Sequence, residues 1–263
     1  MGGFFISVSE LRDRVGTVEA PFVFDVRREA VFGADDRVIP AARWRDHRET
    51  STWAAEVPDG AEVVVTCVHG HNVSQMAAAR LRARGVNART LDGGIEAWKA
   101  AGAPTVGRVE APNGWVTRER PKVDRIACPW FVRRFVDPMA PILFVAADQV
   151  EAVAEESGAI AFDIPGVPFS HEGERCSFDA FLDRFAVDDR ALRELAPIVR
   201  GADTGRLDLA PECAGLLAAS LGISAATEDD HEALRRGFVV YDALYAWRRR
   251  AVGERHGWPP VAA

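Results

Sequence analysis

The sequence has little that would place the chain in a membrane, outside the cell or on a polyanion. No apolar run approaches the ~18–20 residues needed to span a bilayer. The opening MGGFFISVSELRD lacks the basic start and long apolar stretch of a secretory leader. Ile6 stands where a myristoylation signal after Gly2 wants Ser or Thr. Basic residues are the minority, 32 Lys and Arg against 39 Asp and Glu for a net charge of −7, so neither nucleic acid nor an anionic membrane surface is an expected partner. Cysteine is scarce too, four residues with no CxxC pair, which does not describe a disulfide scaffold. There is no internal repeat and no low-complexity segment. A cytoplasmic chain with reduced thiols is the expectation.

What is present is an ordinary globular composition, 263 residues of which 48% are hydrophobic and 27% charged, enough for one large domain or two of ordinary size. Strand and helix signals alternate through the first hundred residues. Phe22-Val23-Phe24 and Val63-Val64-Val65 are apolar runs of strand length. Ser7 and Glu10 have capping-box spacing ahead of Leu11 and Val15, and Gln75 to Arg84 reads as a helix stopped by Gly85. Such alternation predicts an α/β domain with a largely parallel sheet. A break at Ala103-Pro104-Thr105 continues to Pro112-Asn113-Gly114, and the charge balance shifts there. Residues 1–105 hold 13 basic and 14 acidic side chains, the remainder 19 and 25. These signals divide the chain into a domain over 1–105, a linker over 106–114, a second domain over 115–250 and a disordered tail over 251–263.

The second domain reads as mostly helical α+β, with one β-like run over Ile142 to Val145. Its longest helix is expected from Glu228 to Arg250, capped by Thr227. Acids fill the first turn and Arg248, Arg249 and Arg250 the last, as the helix dipole favours. Leu234, Phe238, Tyr241 and Tyr245 form its apolar stripe.

The strongest chemical signal is Glu62-Val63-Val64-Val65-Thr66-Cys67-Val68-His69-Gly70-His71-Asn72-Val73-Ser74. A buried strand ends at Cys67, a short polar loop follows, and a helix begins near Ser74. Loop amides and a helix N-terminus favour a thiolate there, and so a nucleophile at neutral pH. The plain alternative, a core thiol, fits the polar, histidine-bearing loop less well. Phosphoryl transfer is disfavoured by the letters. A cysteine-phosphatase loop needs Arg where Val73 stands, and no Gly-Lys-Ser/Thr loop exists.

Residues from about 5 to 104 resemble a single rhodanese (sulfurtransferase) domain. The resemblance rests on Phe24-Asp25-Val26-Arg27, on the Cys67 loop and on Leu91-Asp92-Gly93-Gly94-Ile95-Glu96-Ala97-Trp98. Val38-Ile39-Pro40-Ala41-Ala42 is a weaker match to the family's HIPGA element, with Val for His and Ala for Gly. The resemblance implies that Cys67 attacks the outer sulfur of a small donor, keeps it as a persulfide and yields it to a thiol or cyanide. No cofactor is required. Val68, His69, Gly70, His71, Asn72 and Val73 become the cradle for donor and persulfide, while Asp25 and Arg27 organise the site. The family often carries an Arg in this loop. Here His69, His71 and Asn72 stand instead, either to move protons or to bond the loop backbone.

From Trp115 onward the chain resembles the C-terminal domain of chromate resistance protein B. The matching stretches are Trp115 to Arg118, Arg120 to Trp130, Ser170 to Gly173, Ile198 to Thr204, Leu209 to Glu212 and Tyr241 to Trp247. The resemblance implies a link to chromate resistance. From the residues alone, Asp124, His171, Asp203, Asp208 and Glu212 form a set of carboxylates with one imidazole able to hold a divalent metal, though no spacing fits a zinc template. The plain reading of Glu212 is a helix-start acid behind Pro211, and that of Asp208 is a turn. Asp242 reads as a hydrogen-bonded carboxylate beside the stripe, and Arg133 and Arg134 as one solvated side chain and one ion-pair partner. Arg125, Arg133 and Arg200 are the candidates for a chromate-like oxyanion. Cys128 and Cys176, each at an apparent helix start, are candidate persulfide acceptors or buried core thiols.

The sequence therefore reads as a sulfurtransferase fused to a chromate-linked domain. The alternative is a chromate-responsive regulator or sensor whose first domain does no chemistry. A DNA-binding regulator needs a basic recognition helix, and the first hundred residues offer none. The oligomeric state is left open.

Overall fold

The computed structural model describes residues 3–111 and 113–254. Its first part comprises β1 (Phe5–Ile6), α1 (Val8–Arg14), β2 (Phe22–Asp25), α2 (Glu29–Gly33), β3 (Arg37–Val38), β4 (Ala42–Trp44), α3 (Thr50–Trp53), β5 (Glu62–Thr66), α4 (Asn72–Arg82), β6 (Asn87–Leu91), α5 (Gly94–Ala100) and β7 (Val106–Gly107). Five strands form one parallel sheet in the order β1-β6-β5-β2-β4.

Alternation of side chains across this sheet sets its two layers. Val63 and Val65 of β5, with Phe24 of β2, pack on Ala77, Ala78 and Leu81 of α4. Val64 and Val23 face the other way, onto Leu11 of α1 and Ile95 and Trp98 of α5. A strand buried on both faces reads as an unbroken apolar run, as Val63-Val64-Val65 does. Cys67 joins the layer of Val63 and Val65, so it leaves the strand toward α4. Only half of the capping box forms: Ser7 Oγ accepts the Glu10 N–H at 3.1 Å, while the Glu10 carboxylate pairs with Arg89 at 2.6 Å.

The second part contains β8 (Trp115–Arg118), α6 (Val123–Phe131), β9 (Ile142–Val145), α7 (Val150–Ser157), β10 (Ile160–Ala161), α8 (Ser177–Arg184), α9 (Arg190–Thr204), α10 (Cys213–Ala225) and α11 (Asp230–Arg250). Its strands make a small parallel sheet, β10-β8-β9. The sequence signals only β9 of the three, because β8 mixes Thr and Arg with its apolar residues and β10 is two residues long. Trp115, Phe131, Phe162, Phe178, Phe181 and Phe185 build the core here. α11 starts later than the acid run suggests. Asp229, not Thr227, is its cap, accepting the Glu232 N–H at 2.7 Å, while the Thr227 hydroxyl donates to the Ile223 carbonyl at 2.8 Å. Residues 255–263 of the expected tail lie outside the described residues.

The two parts are joined by more than the connecting segment. β3 pairs with β7, and Val38 and Val106 enter the aromatic core of the second part. The Ala41 N–H donates to the Phe135 carbonyl at 2.7 Å. Arg249 donates to the carbonyls of Arg12 and Val15 at 2.8 and 3.3 Å, and Arg250 to that of Asp13 at 2.7 Å. The last turn of α1 leaves such carbonyls without helical partners, and the end of α11 supplies the donors. Among the described residues no helix is long and apolar enough to cross a membrane.

Candidate active site and a carboxylate–histidine cluster

The Cys67 loop is shaped by two glycine-bearing segments held against each other. The N–H groups of Ile95 and Glu96, at the start of α5, donate to the carbonyls of Cys67 and Val68 at 2.9 and 3.1 Å. Gly94 turns with φ +61°, and a Cβ there would lie 2.5 Å from the Gly70 nitrogen and the Val68 carbonyl oxygen. Gly70, with φ +71°, meets Leu91 and Gly93 just as closely. Close backbone approach thus explains why Leu91-Asp92-Gly93-Gly94 and the Cys67 loop occur together. Ala41, where the HIPGA element has Gly, also adopts a positive φ of 61°.

Cys67 is 7% exposed and lies against the first turn of α4. Its Sγ is 3.1 Å from the buried Ser74 hydroxyl and donates to the His71 carbonyl at 3.4 Å. The Ser74 hydroxyl also reaches that carbonyl, at 3.3 Å. Loop amides were the expected partners of the sulfur; among the described residues its partners are this hydroxyl and carbonyl. A cavity of about 360 Å³ opens over Sγ, lined by Arg27, Arg28, Val31, Val68, His69, His71, Asn72 and Val73. Gly70 supports the loop from behind. His69, His71 and Asn72 are exposed at the mouth. Among the described residues neither imidazole hydrogen-bonds the loop backbone, so the scaffolding role open to them is not the one they take.

Asp25 and Arg27 are buried at the end of β2. Arg27 Nε donates to Asp25 Oδ2 at 2.8 Å, its Nη1 to Asp35 Oδ2 at 2.6 Å, and its Nη2 to the Arg37 carbonyl at 3.2 Å. Burial pushes the Asp25 carboxyl up, and the guanidinium offsets part of that rise. Asp35 also holds Lys99 of α5 at 2.6 Å, so one ion-pair chain ties β2 to α5 beneath the loop. Arg28 is the residue that the sequence reading missed. It follows the Asp-Val-Arg motif directly, is exposed on the cavity wall, and has no ion-pair partner among the described residues.

A second constellation lies in the second part. Asp124 sits in the first turn of α6, Asp163 just after β10, His171 in the loop before α8, and Asp203 in the last turn of α9. His171 Nε2 lies 3.1 Å from Asp124 Oδ2, 3.2 Å from Asp203 Oδ2 and 3.4 Å from Asp163 Oδ1. Ser177, opening α8, gives its N–H to Asp124 Oδ2 at 3.2 Å and its hydroxyl to Asp163 Oδ1 at 2.8 Å. The Asp124 hydrogen bond and the neighbouring acids push His171 up to about 9. Burial, then the Asp124 charge, pushes Asp203 up to about 8. Asp163 escaped the sequence reading; nothing in Phe162-Asp163-Ile164 marks it except a lone acid in an apolar run.

The remaining expectations separate. Glu212 precedes α10 and Asp208 pairs with Arg206, so neither belongs to the cluster. Cys128 lies inside α6, not at a helix start, and is fully buried; burial pushes its thiol well up. Cys176 does stand at the start of α8, but burial and then the Asp124 and Asp179 charges push its thiol up as well. Both are buried core thiols. The oxyanion candidates do not act together either. Arg200 spends both prongs on Asp179 at 2.9 and 2.6 Å, and Arg125 is held to Asp163 at 3.1 Å. Arg133 is half-buried, with its Nε out of solvent and no ion pair among the described residues. Arg134 is the expected ion-pair partner, bound by Asp242 through two contacts of 2.9 Å, and Trp130 Nε1 donates to the same carboxylate at 2.8 Å.

Comparison with known proteins agrees with this division. Residues 7–101 match the Rhodanese-like domain family, and residues 115–248 match the family described as ChrB, C-terminal domain. Protein ChrB of Cupriavidus metallidurans is 35% identical over 132 residues, which are 50% of this chain and 39% of that protein. The chain thus spans about two fifths of its curated relative. Among solved structures, a rhodanese-related protein from Thermoplasma volcanium is 25% identical, with a TM-score of 0.35 over 40% of this chain and 98% of that one. The Alr3790 protein from Anabaena sp. is 24% identical, with a TM-score of 0.35 over 40% and 94%. The chain belongs to the ChrB C-terminal domain family and carries a rhodanese-like domain ahead of that domain.

Proposed function

We propose that the chain is a rhodanese-type sulfurtransferase with Cys67 as its nucleophile. The observation that carries this reading is the placement of Sγ: it forms the floor of a cavity, beside a helix N-terminus, within 3.1 Å of a hydroxyl that can donate to it. With thiosulfate as donor, the Cys67 thiolate attacks the sulfane sulfur. A new S–S bond forms, the bond to the sulfonate sulfur breaks, and sulfite leaves with the electron pair. A thiolate or cyanide then attacks the outer sulfur of the persulfide and releases Cys67 as thiolate. The reaction uses no cofactor.

Two features support a small anionic donor. The Arg28 guanidinium offers the free charge that the loop itself lacks, and a guanidinium fork suits a sulfonate. His69 and His71 add donors at the mouth. Arg27, by contrast, is committed to Asp25 and Asp35 and shapes the wall. The test is thiosulfate–cyanide transfer by wild type and Cys67→Ala, with circular dichroism as the check on folding. A folded variant with no transfer supports the reading, and a folded variant with full transfer ends it.

A further inference from the structure

We propose that Asp124, Asp163, Asp203 and His171 form a binding site for one divalent cation of the Mn²⁺ class. The site is independent of the Cys67 chemistry and rests on the second domain alone.

The first argument is spacing. Ligands adjacent on an octahedron of about 2.1 Å bonds lie roughly 3.0 Å apart, and opposite ones roughly 4.2 Å. His171 Nε2 lies 3.1, 3.2 and 3.4 Å from oxygens of the three aspartates. Ligand atoms of Asp124, Asp163 and His171 all fall within 4.8 Å of one another. Three of the four side chains, from three separate segments, thus already stand close enough to share one ion, and Asp203, 3.2 Å from His171 Nε2, lies beside them.

The second argument is a deficit of donors. An imidazole nitrogen carries at most one hydrogen, and here three carboxylates surround it. Asp124 and Asp203 both crowd that nitrogen, at 3.1 and 3.2 Å. Carboxylates crowded around one nitrogen repel one another, and a cation among them offsets that repulsion. Asp124 and Asp163 are only 2% and 4% exposed, so solvent screens the group little.

The surroundings are those of a held site. Ser177 fixes Asp124 and Asp163 through its N–H and its hydroxyl. The outer oxygen of Asp163 is occupied by Arg118 at 2.8 Å and Arg125 at 3.1 Å, which aims Oδ1 inward. Those two guanidiniums leave one net negative charge on the group with a neutral imidazole, so binding is weaker than at three free carboxylates. The His171 side chain is 42% exposed and leaves a solvent path, with water to complete the coordination.

The donor set narrows the ion. Three carboxylates and one imidazole suit Mn²⁺ better than Ca²⁺, which takes more oxygens, or Zn²⁺, which favours thiolate and imidazole in four-coordinate sites. The nearby thiols Cys128 and Cys176 are buried in protonated form and do not shift that preference.

The experiment is a titration of the full-length protein with Mn²⁺, following the electron paramagnetic resonance signal of the free ion. Wild type is expected to bind one ion per chain. Asp203→Asn and His171→Gln, both at the more accessible side of the cluster, are each expected to weaken binding about ten-fold or more. Circular dichroism should show both variants folded, and Cys67→Ala should bind as wild type. A free-ion signal undiminished by wild type would overturn the proposal, as would equal binding by the two cluster variants. Sulfate binding lost in His171→Gln, with no Mn²⁺ uptake by wild type, would also overturn it and give the cluster to anions.

Discussion

Replacing Ser74 with alanine removes one hydroxyl from a fully buried position beside the nucleophile. That hydroxyl lies 3.1 Å from Cys67 Sγ and 3.3 Å from the His71 carbonyl oxygen, and its single hydrogen can serve only one of them. In the thiol state Cys67 donates to the His71 carbonyl. Once the sulfur carries charge, the hydroxyl hydrogen is better placed on the sulfur. A hydrogen bond to a charged group contributes about 1.5–3 kcal/mol, so Ser74→Ala should slow transfer by about 10- to 100-fold. Stability should change far less. The His71 carbonyl still accepts the Ser74 backbone N–H at 3.1 Å, so no buried carbonyl is orphaned, and a loss of about 0.5–1 kcal/mol is expected. Steady-state thiosulfate–cyanide transfer read beside a denaturant melt separates the two effects. Transfer within about two-fold of wild type in a folded Ser74→Ala protein would refute the assignment of that hydroxyl to the sulfur.

Three further predictions address the donor, the interface and the ion pairs. Arg28→Ala should raise KM for thiosulfate with little change in kcat, because a charge that binds donor and transition state alike contributes uniform binding; a fall in kcat alone would contradict this. Gly16 has φ +75°, and a Cβ there would come within 2.5 Å of the Phe135 ring and 3.0 Å of Tyr245. Gly16→Ala should therefore destabilise the chain by about 1–3 kcal/mol in a denaturant melt, and a neutral result would show that this contact between the two parts yields freely. Glu62 is held below the usual glutamate range, first by Arg14 and also by Arg89. Its pKa is lower folded than unfolded, so its contribution is present above the unfolded value and is lost as pH falls through the folded one. Glu62→Gln should cost about 1 kcal/mol at neutral pH. The gap from wild type should close as the pH drops below the glutamate range, and a gap constant with pH would contradict the pairing.

The parallel sheet is legible because β5 and β2 are continuous apolar runs bounded by polar residues, and because the Gly-Gly segment before α5 has a steric reason to be there. Cys67 is legible because a polar, histidine-bearing loop follows a buried strand. The rest depends on contacts between distant segments. Arg28 looks like any surface arginine until α2 brings it over the cavity. Asp163 carries no local signal, since its partners Ser177, Arg118 and His171 come from three other segments. The opposite error, placing Cys128 at a helix start, came from letting Pro129 mark the boundary. Pro suits a first turn, yet α6 begins six residues earlier at Val123 and carries the proline inside it. Glu212 shows how weak a motif of acids is without geometry, since its place before α10 accounts for it fully.

Intact-protein mass spectrometry after incubation with thiosulfate tests the sulfur-transfer reading most directly. The account predicts that wild type gains one sulfur, about 32 Da, that Cys67→Ala gains none, and that cyanide removes the added mass. An equal gain in Cys67→Ala, or none in wild type with either thiosulfate or an organic persulfide as donor, would contradict it.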